Sequence, residues 1–207
     1  MSKAIVFDLD GVLIDSKEVH FESLNKALAD INSKFVITRQ EQNSIFEGLT
    51  TRSKLDILTM TKGLPKTFHD LVWKTKQEYS SSIFAKMDID KELVEIFSFI
   101  SDNNIKIGVA SNAIRSTLDA CLSAIGVASF VDFSLSNEDV TNPKPNPEIY
   151  LSMMTALGSD QKTTVIFEDS TVGRQAAIGS GAKLFPVNSR SDISIDLIRE
   201  AIKYLEN

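Results

Sequence analysis

The chain has one cysteine, Cys121, in 207 residues, which excludes an internal disulfide. A reducing compartment, the cytoplasm, is the expected setting. No apolar run approaches the roughly 20 residues that a membrane span needs. A strand-like segment begins at Lys3, with no basic stretch, apolar stretch and cleavage site before it, so no secretory leader is expected. Clustered positive charge is also missing. The 22 Lys and Arg are scattered among 28 Asp and Glu, for a net charge of −6. A nucleic-acid groove needs a basic stripe, so neither nucleic acid nor membrane is expected as a partner. A small anion bound by a local pocket of metal and lysine remains compatible with an acidic chain. Internal repeats and low-complexity tracts are absent, and none of these properties speaks to oligomeric state.

The remaining composition is that of a globular chain long enough for one buried core and a modest accessory domain. Ala4-Ile5-Val6-Phe7 is a β-branched and aromatic run that ends in acid and is followed by Gly11. It reads as a buried strand. Similar runs lie at Ile105–Ala110, Val131–Leu135, Thr164–Phe167 and Lys183–Val187. Helix-like stretches occupy Ser116–Ile125, Pro147–Leu157 and Thr171–Gly179, and another spans Asp192–Tyr204. Strand alternating with helix predicts an α/β fold with a parallel sheet. Residues 16–86 break the alternation. Leu24, Ala27, Leu28 and Ile31 recur at helical spacing, as do Leu55, Leu58 and later Leu71, Trp73 and Tyr79. The expected organisation is a Rossmann-like core of residues 1–15 and 87–207 with an inserted helical cap of residues 16–86.

Chemistry concentrates at the strand ends. Asp8 and Asp10 follow the first strand, and on an extended chain they share a side. Two like charges so close favour a divalent cation between them, and magnesium prefers such oxygen ligands. Asp8 can then attack phosphorus while Asp10 moves a proton at the ester oxygen. The second strand ends in Ser111-Asn112, where a hydroxyl and helix N-terminal amides suit a phosphate oxygen. Prolines at 143, 145 and 147 stiffen the loop that carries Lys144. The fourth strand ends in Glu168-Asp169, with Gly173 following. Each feature alone is also an ordinary helix cap or loop residue. Four in succession, on the edge where parallel sheets bind ligands, form a constellation.

These residues resemble the motifs of the haloacid dehalogenase-like hydrolase superfamily, in the branch with a small helical cap. Asp8-Leu9-Asp10-Gly11-Val12-Leu13-Ile14-Asp15-Ser16 is similar to its first motif, Ala110-Ser111-Asn112 to its second, Lys144 to its third and Phe167-Glu168-Asp169-Ser170 to its fourth. The resemblance implies that Asp8 is the nucleophile and a Mg2+ ligand. It makes Asp10 the general acid/base, with a backbone carbonyl on the metal. Ser111 and Asn112 would hold the phosphoryl group, Lys144 would orient Asp8 and offset charge, and Glu168 and Asp169 would complete the metal site. Asp10 also favours phosphate esters over carbon–halogen bonds, which have no ester oxygen to protonate.

The expectation is a magnesium-dependent phosphatase of a small phosphorylated sugar, polyol or acid, working through an aspartyl-phosphate. His20, Gly48, Arg52 and Lys76 stand where capped relatives place substrate-facing groups. The alternative is a β-phosphoglucomutase-like phosphosugar mutase, whose cap loop carries arginine three residues after the glycine. Here that place is Thr51, and Arg52 comes one position later. Water is therefore the expected final acceptor.

Overall fold

The computed structural model describes residues 1–46 and 49–206. The chain divides into two compact units, Met1–Asp15 with Met87–Asn207, and Ser16–Lys86. The first holds five parallel strands, β1 (Ala4–Phe7), β2 (Lys106–Ala110), β3 (Phe133–Leu135), β4 (Thr164–Glu168) and β5 (Lys183–Pro186), in the order β3-β2-β1-β4-β5. The chain builds outward from β1 through β2 to β3, then crosses to the other side of β1 for β4 and β5. The order reverses between β1 and β4, and the loops that follow those two strands therefore flank the crevice where open α/β sheets take ligands.

Every residue of β1 and β4 is buried, as expected of strands covered on both faces. Alternation divides β1 between the two layers. Ala4 and Val6 join a cluster with Ile149, Tyr150 and Met153, from the helix Glu148–Leu157, and Ala176 and Ala177, from the helix Thr171–Ser180. On the other face Phe7 stacks on Phe97 at 5.2 Å and on Phe167 at 5.1 Å between ring centroids. Phe97 belongs to the helix Lys91–Asp102, which the strand-and-helix reading of the sequence leaves out. Its signal is present: Asp90 accepts from the Leu93 N–H as N-cap, and Leu93, Ile96, Phe97 and Ile100 form one buried stripe. The chain closes with the helix Ile195–Glu206, after the helix Arg115–Ala124 has joined β2 to β3.

The second unit contains the helices Lys17–Ile31, Thr51–Lys62 and His69–Phe84, with a capped turn at Arg39–Glu41 that runs into Gln42–Phe46. No strand occurs among its described residues. Its core gathers Leu24, Ala27, Leu28, Leu55, Leu58 and Val72, with Trp73 and Tyr79 at the margin. Leu71, expected among the apolar positions, is half exposed, and its neighbour Val72 takes the inward place. No described helix is long and apolar enough to cross a membrane.

Phe7 joins three elements through one ring and immediately precedes Asp8. Phe7→Ala should cost about 3–5 kcal/mol of unfolding free energy, the usual result of emptying a closed aromatic site. Urea denaturation measures it. A loss under about 1 kcal/mol would mean that the stack does not anchor β1.

Candidate active site

Asp8 leaves the carboxyl end of β1, and its N–H extends the ladder by donating to the Phe167 carbonyl at 3.0 Å. The extended alternation assumed for Asp8 and Asp10 stops at Phe7. Leu9 turns into the core, and the Leu13 and Ile14 N–H groups both donate to its carbonyl. Gly11 stands in this turn at φ +86°, and a Cβ there would lie 2.1 Å from Oδ2 of Asp169. The missing side chain is therefore the space that lets the β4 carboxylate approach the β1 loop.

Lys144 is the centre of the site. Its side chain is 3% exposed, and its ammonium donates to Asp8 Oδ1 at 2.6 Å, Glu168 Oε1 at 2.6 Å and the Ala110 carbonyl at 2.8 Å. An ammonium has three N–H donors, and here each has an acceptor. Burial alone would push the Lys144 amine down, but the Asp8 and Glu168 charges outweigh it and hold the group above its ordinary value. Asp8 responds the other way. Burial first, then the Glu168 charge, raise its carboxyl well above the usual range against the pull of Lys144, and Asp10 adds to the rise.

Asn112 fixes the loop behind Lys144. Its Oδ1 accepts from the Lys144 N–H at 3.1 Å, and its Nδ2 donates to the Lys144 carbonyl at 3.2 Å. The side-chain amide expected on a phosphoryl group is thus engaged with the peptide of the lysine. Glu148 braces the same loop by accepting from the Thr141 and Asn142 N–H groups. Ser111 is fully buried, and its Oγ accepts from the Ala113 N–H at 2.9 Å. The helix expected over Ser116–Ile125 spans Arg115–Ala124, with Ile114 at its N-cap position. Its terminal amides are therefore not those beside Ser111, whose Oγ accepts within a local turn and keeps its own proton to donate.

Glu168 is enclosed. Its Oε1 accepts from Lys144 and from the Tyr150 hydroxyl at 2.7 Å, and its Oε2 faces the Ser170 N–H and Oγ at 3.4 and 3.3 Å. A Cβ on Gly173 would meet this carboxylate at 1.9 Å, so the glycine is the other half of its pocket. Tyr150 was not among the expected site residues. It is fully buried, its ring lies 4.7 Å from the Lys144 nitrogen, and burial followed by the Glu168 charge holds its phenol protonated, well above the ordinary tyrosine value. In sequence it is one more aromatic in the apolar run of a helix, and only its distance of six residues from Lys144 hints otherwise.

Oxygen atoms of Asp8, Glu168 and Asp169 lie within 4.8 Å of one another. With all three ionised and one ammonium among them, two negative charges stay uncompensated in a largely buried place. Such a set of hard oxygen donors fits a divalent cation. The Asp10 carboxylate is outside this group of three. The helical unit places its expected residues as follows. His20 Nδ1 lies 3.0 Å from the Lys76 nitrogen, and Lys76 is buried. Arg52 is exposed, donates to Asp70 at 2.9 Å and lies over the Trp73 ring. Gly48 falls outside the described residues. Cys121 is buried with its thiol pushed up to about 12 by burial and then Asp10, as suits a core residue.

A phosphorylated carbohydrates phosphatase of Thermotoga maritima is 24% identical over 179 residues, covering 86% of this chain and 82% of its own. A β-phosphoglucomutase from Clostridium difficile superposes with a TM-score of 0.80 at 21% identity, over 100% of this chain and 98% of that one. A variant of CbbY from Rhodobacter sphaeroides, solved with xylulose-(1,5)bisphosphate, has a TM-score of 0.80 at 20% identity, over 92% and 89%. The model of the haloacid dehalogenase-like hydrolases matches residues 5–187, from β1 through the end of β5. That span contains Asp8, Ser111, Lys144, Glu168 and Asp169, and the chain belongs to the haloacid dehalogenase-like hydrolases.

Proposed function

We propose that the chain is a magnesium-dependent phosphatase of a small phosphorylated sugar, polyol or acid, with Asp8 as nucleophile. One observation carries the reading: Asp8 is held by a buried ammonium, beside two further carboxylates, at the crossover edge of the sheet. A buried carboxylate whose proton affinity is raised becomes a nucleophile only when positive charge keeps it ionised. Lys144 supplies part of that charge. Asp8, Glu168 and Asp169, with the Asp10 carbonyl, are the proposed ligands of Mg2+. When bound, the ion offsets charge on these carboxylates and on the phosphoryl oxygens.

The residues divide the work. Lys144 holds Asp8 Oδ1, which leaves Oδ2 to attack phosphorus in line with the departing ester oxygen. The bond from phosphorus to that oxygen breaks as the bond to Oδ2 forms, and Asp10 gives the leaving alkoxide its proton. Asp10, now a base, takes a proton from water as water attacks the aspartyl-phosphate and frees phosphate and Asp8. Ser111 and the backbone at Asn112 receive the phosphoryl oxygens, while the Asn112 side chain keeps Lys144 in place. Phosphate monoesters hydrolyse so slowly alone that enhancements up to roughly 10²¹ are needed, and fixed electrostatics is the main means. Substrate choice is assigned to the helical unit, where His20, Arg52 and Lys76 are the candidate contacts. The likeness to the phosphorylated carbohydrates phosphatase of Thermotoga maritima supports a phosphorylated carbohydrate among the substrates. The mutase differs only in the acceptor of the phosphoryl group, a second substrate hydroxyl in place of water.

A steady-state screen of phosphorylated sugars, polyols, acids and nucleotides, ranked by kcat/KM with magnesium, tests the reading. Phosphate release should exceed interconversion of hexose 1- and 6-phosphates, and Asp8→Asn should abolish it. Turnover by Asp8→Asn would remove the nucleophile, and faster isomerisation would make the chain a mutase. Gly173→Ala should displace Glu168 and raise the magnesium concentration for half-binding by about tenfold or more, read by calorimetry without substrate. An unchanged isotherm would take Glu168 out of the metal site. Arg52→Ala should lower kcat/KM for the best substrate more than for p-nitrophenyl phosphate. Equal losses would exclude Arg52 from recognition.

A further inference from the structure

We infer that Tyr150 is a positioning residue that sets how Lys144 is shared between Glu168 and Asp8. Its catalytic consequence rests on the phosphatase reading, but its structural basis does not. Two donors, the Lys144 ammonium at 2.6 Å and the Tyr150 hydroxyl at 2.7 Å, converge on one oxygen of Glu168. Oε2 meets only the longer contacts from the Ser170 N–H and Oγ, at 3.4 and 3.3 Å, so the two short donors on Oε1 are the stronger hold on the direction of the carboxylate. The second hydrogen bond also draws negative charge from Oε1, which lessens the pull of Glu168 on the ammonium. Lys144 can then stand at the same 2.6 Å from Asp8.

The phenol acts on the other partner as well. Its ring face lies 4.7 Å from the Lys144 nitrogen, so one side chain holds the acid through its hydroxyl and the ammonium through its ring. Tyr150 is placed for this by its own segment. Its N–H donates to the Pro147 carbonyl at 3.0 Å in the first turn of the helix that opens directly after the Lys144 loop. One stretch of chain delivers both the lysine and its strut. Tyr150 otherwise belongs to an apolar cluster that includes Ile149, Met153, Ala176 and Ala177, so removing the hydroxyl leaves the filled core intact.

Tyr150→Phe keeps the ring and deletes the hydroxyl. In 15N-labelled wild-type protein the Lys144 ammonium, with three buried acceptors, should give a slowly exchanging 1H–15N cross-peak, identified by its loss in Lys144→Gln. In Tyr150→Phe that cross-peak should shift or broaden. Turnover of the best phosphate ester should fall about tenfold in kcat, as for a hydrogen bond to a charged group, with KM within about twofold. The melting temperature should stay within about 4 °C, the shift expected of about 1 kcal/mol or less. Tyr150→Leu, which also removes the ring, should lose more of both signals. An unchanged ammonium cross-peak in Tyr150→Phe, or none in the wild type, would overturn the assignment whatever happens to activity. A wild type that hydrolyses no phosphate ester would sink the phosphatase reading alone, since the cross-peak still decides the role of Tyr150.

Discussion

One buried ammonium ties the sheet edge together. Lys144 comes from the loop after β3, and its acceptors come from the ends of β1, β2 and β4. Moving a charged group out of water costs several kcal/mol even after relaxation, so the contact persists only because three acceptors meet it in fixed positions. The parallel sheet provides that fixity. Its strands all run the same way, their carboxyl ends lie on one edge, and the phenylalanines of β1 and β4 stack beneath the acids those strands carry.

Carboxylates also need room, and two glycines provide it. Gly11 and Gly173 each stand where a Cβ would overlap an oxygen of Asp169 or Glu168. The empty volume beside each backbone is therefore occupied by a charged group of another segment. Gly11 carries a second requirement, since its φ of +86° is strained for any residue with a side chain. A shape constraint and an electrostatic one thus coincide in the β1 loop. Crowding three acids and one lysine in this way leaves the edge short of positive charge, which suits a divalent cation.

Much of this was legible in the sequence because it is periodic or punctuated. The five strands are apolar runs that stop at acids, serines or prolines, and the alternation with helices makes the sheet parallel. Residues 16–86 show helical spacing and no strand. The helix Lys91–Asp102 has an equally plain stripe, but it lies next to the boundary of the insert, where the change of pattern obscures it. Tyr150 and Asn112 were illegible in their roles for a different reason. Which group a side chain meets across 18 or 32 residues depends on strand order, and no local pattern records strand order. Leu71 and Val72 show the finer limit: both are apolar, but Val72 is buried while Leu71 is half exposed, and spacing read over a few positions does not choose between them.

The chemistry of the cluster and the identity of the substrate are separable. A phosphatase and a phosphosugar mutase share the half-reaction in which an aspartate takes the phosphoryl group and an acid protonates the leaving oxygen. On the proposed reading, relatives named as a phosphatase and as a mutase therefore place no conflicting demand on Asp8, Lys144 or Glu168. They differ in what reaches the aspartyl-phosphate next. Excluding water in favour of a sugar hydroxyl needs a second phosphate held in place by a fixed cation. Arg52, the cation nearest in sequence to that position, is exposed and engaged by Asp70 and the Trp73 ring within its own unit. Lys76 is buried against His20. The Arg52–Asp70 pair is exposed and costs about 1 kcal/mol or less to open, so it does not by itself bar Arg52 from a second phosphate, and the acceptor is decided by whether any cation is fixed where that phosphate would lie.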